Sequence, residues 1–141
     1  MHTDPNCIFC KIVAGQIPCF KLHEDAETIA FMDINPGNPG HALAIPKAHA
    51  ANLDEMTPAL LGPVLATAQR VARAVAATMK PDGINILQAN GPGAGQSVFH
   101  FHIHILPRRI GDELKMNWGH KPGDMAAIKA NYEKIRAAMA A

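Results

Sequence analysis

His100-Phe101-His102-Ile103-His104-Ile105-Leu106 alternates imidazole with apolar side chains. In an extended strand successive side chains point to opposite faces, so this spelling puts His100, His102 and His104 on one face. Phe101, Ile103 and Ile105 share the other face and can anchor the strand in a core. The three rings then stand roughly 7 Å apart, two residues' rise per step. The predicted strand runs from Val98 to Leu106. Before it comes a turn-rich loop, Gly91-Pro92-Gly93-Ala94-Gly95-Gln96, and before that Ile84 to Asn90 reads as another strand.

Further upstream, Lys21–Glu24 and Thr28–Asp33 read as two short strands around Asp25-Ala26-Glu27. Asn35-Pro36-Gly37-Asn38-Pro39-Gly40 is dense in turn formers and must be a loop. His41–Ile45 is a third strand, which Pro46 ends or confines to an edge. A long helix is predicted from Thr57 to Lys80. Thr57 can cap it, Pro58 suits its first position, and Leu61, Leu65, Ala68, Val71, Ala72, Val75 and Met79 form an apolar stripe. Gly62-Pro63 predicts a kink or a later start. Met125, Ile128, Tyr132, Ile135 and Met139 mark a C-terminal amphipathic helix. Five strands with the long helix between the third and fourth make an α+β pattern, and hairpin-like connections favour an antiparallel sheet.

The chain has 141 residues, 48% hydrophobic and 18% charged, with a formal net charge of +1. That suits one domain over residues 1–141 and argues against disorder. The basic residues are scattered, so no nucleic-acid partner is expected. No apolar run reaches the roughly 20 residues of a membrane span, and Met1-His2-Thr3-Asp4-Pro5 does not read as a signal peptide. A cytoplasmic protein with no membrane partner is expected. Two of the three cysteines form Cys7-x-x-Cys10. In that setting the pair reads as a metal or redox site before a disulfide framework, the plain alternative being two buried free thiols.

A single histidine in a strand is ordinarily packed or solvated. Three in strict alternation behind a Gly/Ser-rich loop point to a site, either a zinc centre or phosphoryl chemistry. Nucleotidyl transfer needs an aligned nucleophile and donors around the equatorial oxygens. A neutral imidazole can attack phosphorus if its other nitrogen is held as the donor. The N–H groups of Gly93-Ala94-Gly95-Gln96 can form an anion-binding concavity, with the Ser97 hydroxyl beside it.

The segment from Asn90 through Gln96-Ser97 to Leu106 closely resembles the signature of the histidine triad superfamily. The likeness continues upstream through Ile8-Phe9-Cys10-Lys11-Ile12, Ala30-Phe31-Met32-Asp33-Ile34-Asn35-Pro36, and Gly40-His41 through Ile45-Pro46-Lys47 to His49. Within the superfamily the chain is most similar to the bacterial form of the Hint branch, also called protein-kinase-C-interacting-protein-like. That resemblance implies a HIT-like fold, a homodimer joining two five-stranded sheets, and a purine nucleotide partner. By matching position, His102 is the nucleophile that carries a nucleotidyl intermediate. His104, Gln96 and Ser97 contact the phosphate and leaving group, and His41 supports His102. Asp33 binds the ribose, while Ile8, Phe9, Ile12, Phe31 and Ile34 line the base pocket with Asn90 and Gly95 nearby. For the apolar positions simple core packing is an equal reading.

Some bacterial members hold a structural zinc on such a Cys pair, the histidine of the I-P-K-x-H segment and the first triad histidine. Here those positions are Cys7, Cys10, His49 and His100. Four filled ligands would leave no open position, so the zinc cofactor is expected to be structural. The chain departs from short-tailed members after about residue 116. Trp118 matches the family's tail tryptophan, which reaches across the dimer, and the helix from Met125 is additional.

The implied reaction is hydrolysis of purine nucleoside phosphoramidates or related nucleoside monophosphate derivatives. Diadenosine polyphosphate cleavage and a nucleotide-binding interaction module with little turnover are the competing readings. The His102→Ala substitution separates an enzyme from a module.

Overall fold

Lys21–Glu24 (β1), Thr28–Met32 (β2) and Ala42–Pro46 (β3) form an antiparallel meander in the computed structural model, which describes residues 1–140. Residue 141, the end of the expected single domain, lies outside the described residues. Gly83–Leu87 (β4) and Ile103–Arg108 (β5) complete one five-stranded antiparallel sheet in the order β1-β2-β3-β5-β4. The α+β architecture is the expected one.

Side-chain alternation divides the sheet into two working faces. Ala30, Ala42, Ala44, Ile103 and Ile105 face one way and pack against Val64, Ala68, Val71 and Val75 of the long helix Pro58–Met79 (α2). Three alanines on the sheet let the helix lie close to it. Ile29, Phe31, Leu43 and Ile45 face the other way and pack with Cys7, Phe9 and Cys10. Full burial of side chains such as Ile45 and Ile105 stabilises each face by about 2 kcal/mol per residue.

Two strand bounds are corrected, the start of the long helix is fixed, and one helix is added. The helix Ile8–Val13 (α1) has too few residues to show a helical period; the Cys7 side chain caps it by accepting the Cys10 N–H at 3.4 Å. The long helix starts at Pro58 and continues through Pro63, with no later start. Ala59, whose carbonyl would have paired with the missing N–H, is exposed and can be hydrated. The strand carrying the histidines begins at Ile103, not Val98. The register Ala44↔Ile103 would bring Pro46 opposite Phe101, and proline has no N–H to extend the ladder. Phe101 N–H instead donates to the Ala50 carbonyl at 2.7 Å. Finally, β4 ends at Leu87, after which Gln88 and Asn90 bond each other and the Leu53 N–H takes Asn90 Oδ1.

The C-terminal helix Met125–Met139 (α3) has the predicted stripe, and Asp124 caps it by accepting the Ala126 N–H. Every residue of it is exposed, and so is Trp118. No helix among the described residues is long and apolar enough to cross a membrane.

Candidate active site and metal centre

The alternation of the histidine segment survives although its first half lies outside the ladder. Phe101 and Ile103 enter the helix-side core, while the His100 and His102 rings form T-shaped pairs with Phe9 at 5.9 and 5.3 Å between centroids. The His102 and His104 rings are 4.8 Å apart. The three histidines therefore share one face, and the His102 and His104 rings stand closer than two residues' rise along a strand.

Backbone partners settle the tautomers. A carbonyl oxygen only accepts, so the 2.6 Å contact between His102 Nδ1 and the His100 carbonyl requires a proton on Nδ1. Burial pushes the His102 pKa down, with the His100 carbonyl and the Asp33 charge opposing. Neutral His102 thus presents its lone pair on Nε2. The Gly37 N–H donates to His41 Nδ1 at 3.0 Å, so His41 carries its proton on Nε2 and donates it to His104 Nδ1 at 2.9 Å. His104 consequently holds its own proton on Nε2. Side by side, one imidazole offers a nucleophilic nitrogen and the next a donor.

His41 was expected to support His102; its hydrogen bond goes to His104. Asp33 Oδ2 lies 3.5 Å from His41 Nε2, and Asp33 Oδ1 accepts the Asn35 N–H. Asn38 Nδ2 reaches the Pro107 carbonyl and Asp112 Oδ2, both at 2.9 Å, tying the turn-rich loop to the end of β5. Gly40 has φ +92° there, and a Cβ would sit 3.0 Å from Met79.

The loop before the triad differs from expectation. The N–H groups of Ala94, Gly95 and Gln96 bond the Gly91 and Pro92 carbonyls, so they close the loop on itself. Gln96 turns inward: Oε1 accepts the Gly91 N–H, and Nε2 donates to the Ala51 and Val98 carbonyls. It shapes the loop, while the side chain of Ser97 is exposed. Phe9 and Phe31 are buried edge to face at 5.4 Å. Ile12 is half-buried against the same cluster, whereas Ile8 and Ile34 are exposed.

Cys7, Cys10, His49 and His100 converge although they come from three separate segments. His100 Nε2 donates to the Pro46 carbonyl at 2.8 Å, leaving Nδ1 as a lone pair facing the cluster. That nitrogen is 3.4 Å from Cys7 Sγ, 3.6 Å from Cys10 Sγ and 3.2 Å from His49 Nδ1, and Cys10 Sγ is 3.4 Å from His49 Nδ1. A tetrahedral zinc with nitrogens at about 2.05 Å and sulfurs at about 2.3 Å separates N from N by roughly 3.3 Å and N from S by roughly 3.5 Å. The donor set fits zinc in both chemistry and spacing. Burial, the larger effect, raises the Cys10 thiol pKa, and a cation among the thiols would reverse this.

Asp33, His41 and His104 also lie close enough to suggest a metal. Their outer partners argue otherwise. A ligating histidine donates with its second nitrogen, as His100 does, but His41 accepts there and presents N–H to the group.

Burial holds His41, His100, His102 and His104 below the ordinary histidine pKa, with His100 and His104 at about 4. Each is neutral in the fold at pH values where an unfolded histidine would be charged. Their contribution to stability is therefore complete above about pH 6.5 and falls as pH drops below it; for His100 and His104 it is lost as pH approaches about 4. For His104 the loss is about 3 kcal/mol. Urea unfolding at pH 7 and pH 4.5 should show it, with a smaller loss in His104→Asn. Equal losses in both proteins would refute the assignment.

The sequence profile of the HIT domain matches residues 14–111. An adenosine 5'-monophosphoramidase of Saccharomyces cerevisiae is 46% identical over 137 residues, covering 95% of this chain and 83% of that protein. An adenylylsulfatase of Arabidopsis thaliana is 40% identical over 109 residues, 77% of this chain and 55% of that protein. Among solved structures, a Streptococcus mutans protein superposes with a TM-score of 0.91 at 39% identity, over 97% of this chain and 87% of its own. A zinc-bound histidine triad family protein from Mycobacterium smegmatis gives 0.73 at 35% identity, over 94% and 97%.

Proposed function

Because the chain belongs to the HIT domain family, we propose that it hydrolyses purine nucleoside phosphoramidates, or related nucleoside monophosphate derivatives, through a nucleotidyl intermediate on His102. The relatives with named activities are hydrolases of nucleotide derivatives, and this chain is an enzyme of the same family. The observation that carries the reading is the pair of tautomers: a lone pair on His102 Nε2 beside a proton on His104 Nε2.

His102 Nε2 attacks the α-phosphorus, forming an N–P bond as the bond to the leaving amine breaks. The His41–His104 pair stays neutral, with Asp33 nearby, and His104 Nε2–H hydrogen-bonds the departing amine nitrogen, which takes its proton from solvent. A water then attacks the phosphorus, the bond to His102 breaks, and the water's proton returns to solvent. His102 keeps its Nδ1–H on the His100 carbonyl throughout.

Asp33 faces the ribose hydroxyls and Ser97 the phosphate, with Gly95, Gln96 and Asn90 forming the wall behind it. Phe9, Phe31 and Ile12 back the base, and the exposed Ile8 and Ile34 flank its entrance. Cys7, Cys10, His49 and His100 would hold a zinc that supplies structural cross-linking and, with four protein ligands, no activated water.

Parallel assays of an adenosine phosphoramidate, adenylyl sulfate and diadenosine tetraphosphate test the substrate class. AMP release should be fastest from the phosphoramidate. Faster release from diadenosine tetraphosphate would move the chain to the competing hydrolase reading.

A homodimer belongs to the same proposal. It is supported by the free edge of β4, by exposed Leu65 and Ile86, and by the uncovered stripe of α3. Light scattering should read twice the chain mass; a single-chain mass would refute it.

A further inference from the structure

The residues carrying the nucleophile are not held where a strand would hold them. His100, Phe101 and His102 precede β5 and have no ladder partners on β3. Three contacts replace the ladder. Phe101 N–H donates to the Ala50 carbonyl, His100 Nε2–H donates to the Pro46 carbonyl, and His100 Nδ1 sits among Cys7, Cys10 and His49. Two of these act on His100 alone, whose own carbonyl accepts the His102 Nδ1–H at 2.6 Å.

A second route reaches the same ring. Cys7 caps the six-residue α1, and Cys10 lies in its first turn. Between them Phe9 points its ring at both His100 and His102, and at Phe31 behind it. A helix this short has little stability of its own, so whatever fixes Cys7 and Cys10 also fixes Phe9.

We propose that the Cys7–Cys10–His49–His100 cluster is a positioning device for the nucleophile, holding the His100 carbonyl against His102 Nδ1–H and Phe9 against the His102 ring. The catalytic consequence rests on His102 being the nucleophile. With the cluster dispersed, the peptide after His100 can rotate and His102 is released to the other tautomer, whose Nε2 carries a proton and cannot attack. The cluster thus does more than hold the fold together. It selects which nitrogen of His102 faces the substrate.

The test reads the ring directly, by long-range nitrogen–proton NMR of the histidines in full-length protein loaded with zinc chloride. Wild type should show His102 as the single Nδ1–H tautomer. Cys10→Ser, and the less buried His49→Ala, should show a tautomer mixture with the amide spectrum of a folded protein. Turnover in both should fall about 10- to 100-fold. KM and AMP affinity should stay within about twofold, because the lost interaction acts on the chemical step. Stripping zinc from wild type and adding it back should move the His102 signals reversibly, which covers the case where a variant fails to fold.

A single Nδ1–H tautomer in the folded variants or the stripped protein would overturn the proposal. So would a mixture in zinc-loaded wild type, or a loss of AMP affinity in step with turnover. The ring signals need no substrate. They therefore stand apart from the outcome for His102 as nucleophile.

Discussion

Replacing His102 with alanine is expected to lower hydrolysis of an adenosine phosphoramidate by about 10,000-fold or more, the scale seen when a covalent nucleophile is removed. AMP should still bind within about threefold of wild type, because the methyl group vacates space and does not fill it. The reason lies in how His102 is held. Its Nδ1–H is tied to the His100 carbonyl at 2.6 Å, burial keeps the ring neutral, and Nε2 is the one free lone pair on it. The neighbouring His104 cannot substitute, because its Nδ1 accepts from His41 and its Nε2 carries a proton.

The companion observation is an adduct. Wild type mixed with substrate and quenched in alkali within milliseconds should gain the mass of one AMP moiety, and His102→Ala should not. Alkali is needed because a phosphorus–nitrogen bond to histidine is labile in acid. Residual turnover in the variant within about tenfold of wild type would remove His102 from the nucleophile's role, and the direct attack of water would take its place.

The second large effect concerns the metal centre. Zinc added to metal-free protein should raise its resistance to unfolding steeply, since structural zinc sites contribute on the order of 10 kcal/mol of apparent binding free energy near neutral pH. Four donors from three separate segments, residues 7–10, 49 and 100, are cross-linked by one ion. The pre-arranged N···S and N···N separations of 3.2 to 3.6 Å mean that little reorganisation opposes binding. One equivalent of zinc per chain should be retained through dialysis. Thermal melting should rise by more than about 10 °C, at roughly 3 to 4 °C per kcal/mol for a chain of this length. Cys10→Ser should abolish most of the gain. Melting that does not respond to zinc would leave a pair of buried free thiols beside two histidines.

Much of this was legible from residue types and their spacing. Alternation in 100–106 separated an imidazole row from an anchoring row, and both rows are where the side-chain order put them. The stripe from Leu61 to Met79 located the helix that covers one sheet face, because a 22-residue helix offers enough turns for its period to show. The shorter α1 has fewer than two turns and gave no period. Its one usable signal was the Cys7-x-x-Cys10 spacing itself, in which the Cys7 side chain caps the helix and both thiols face the cluster that could hold a metal. The extra stretch of strand expected over 98–102 failed because alternation describes side-chain direction and is silent on whether a neighbour can supply hydrogen bonds.

What the sequence determined by itself was the set of side chains: the imidazole row, the thiol pair, the carboxylate at Asp33, and the apolar rows that oblige the sheet to form. The tertiary structure decided which atom of each side chain does what. The Pro46 carbonyl turns His100 Nδ1 towards the thiols, the His100 carbonyl frees His102 Nε2, and the Gly37 N–H makes His41 a donor to His104. Those partners are backbone groups, which every residue carries and no residue name reveals. Only the folded path of the chain brings a particular carbonyl or N–H against a particular ring, and with it the proton that decides which ring nitrogen donates and which accepts.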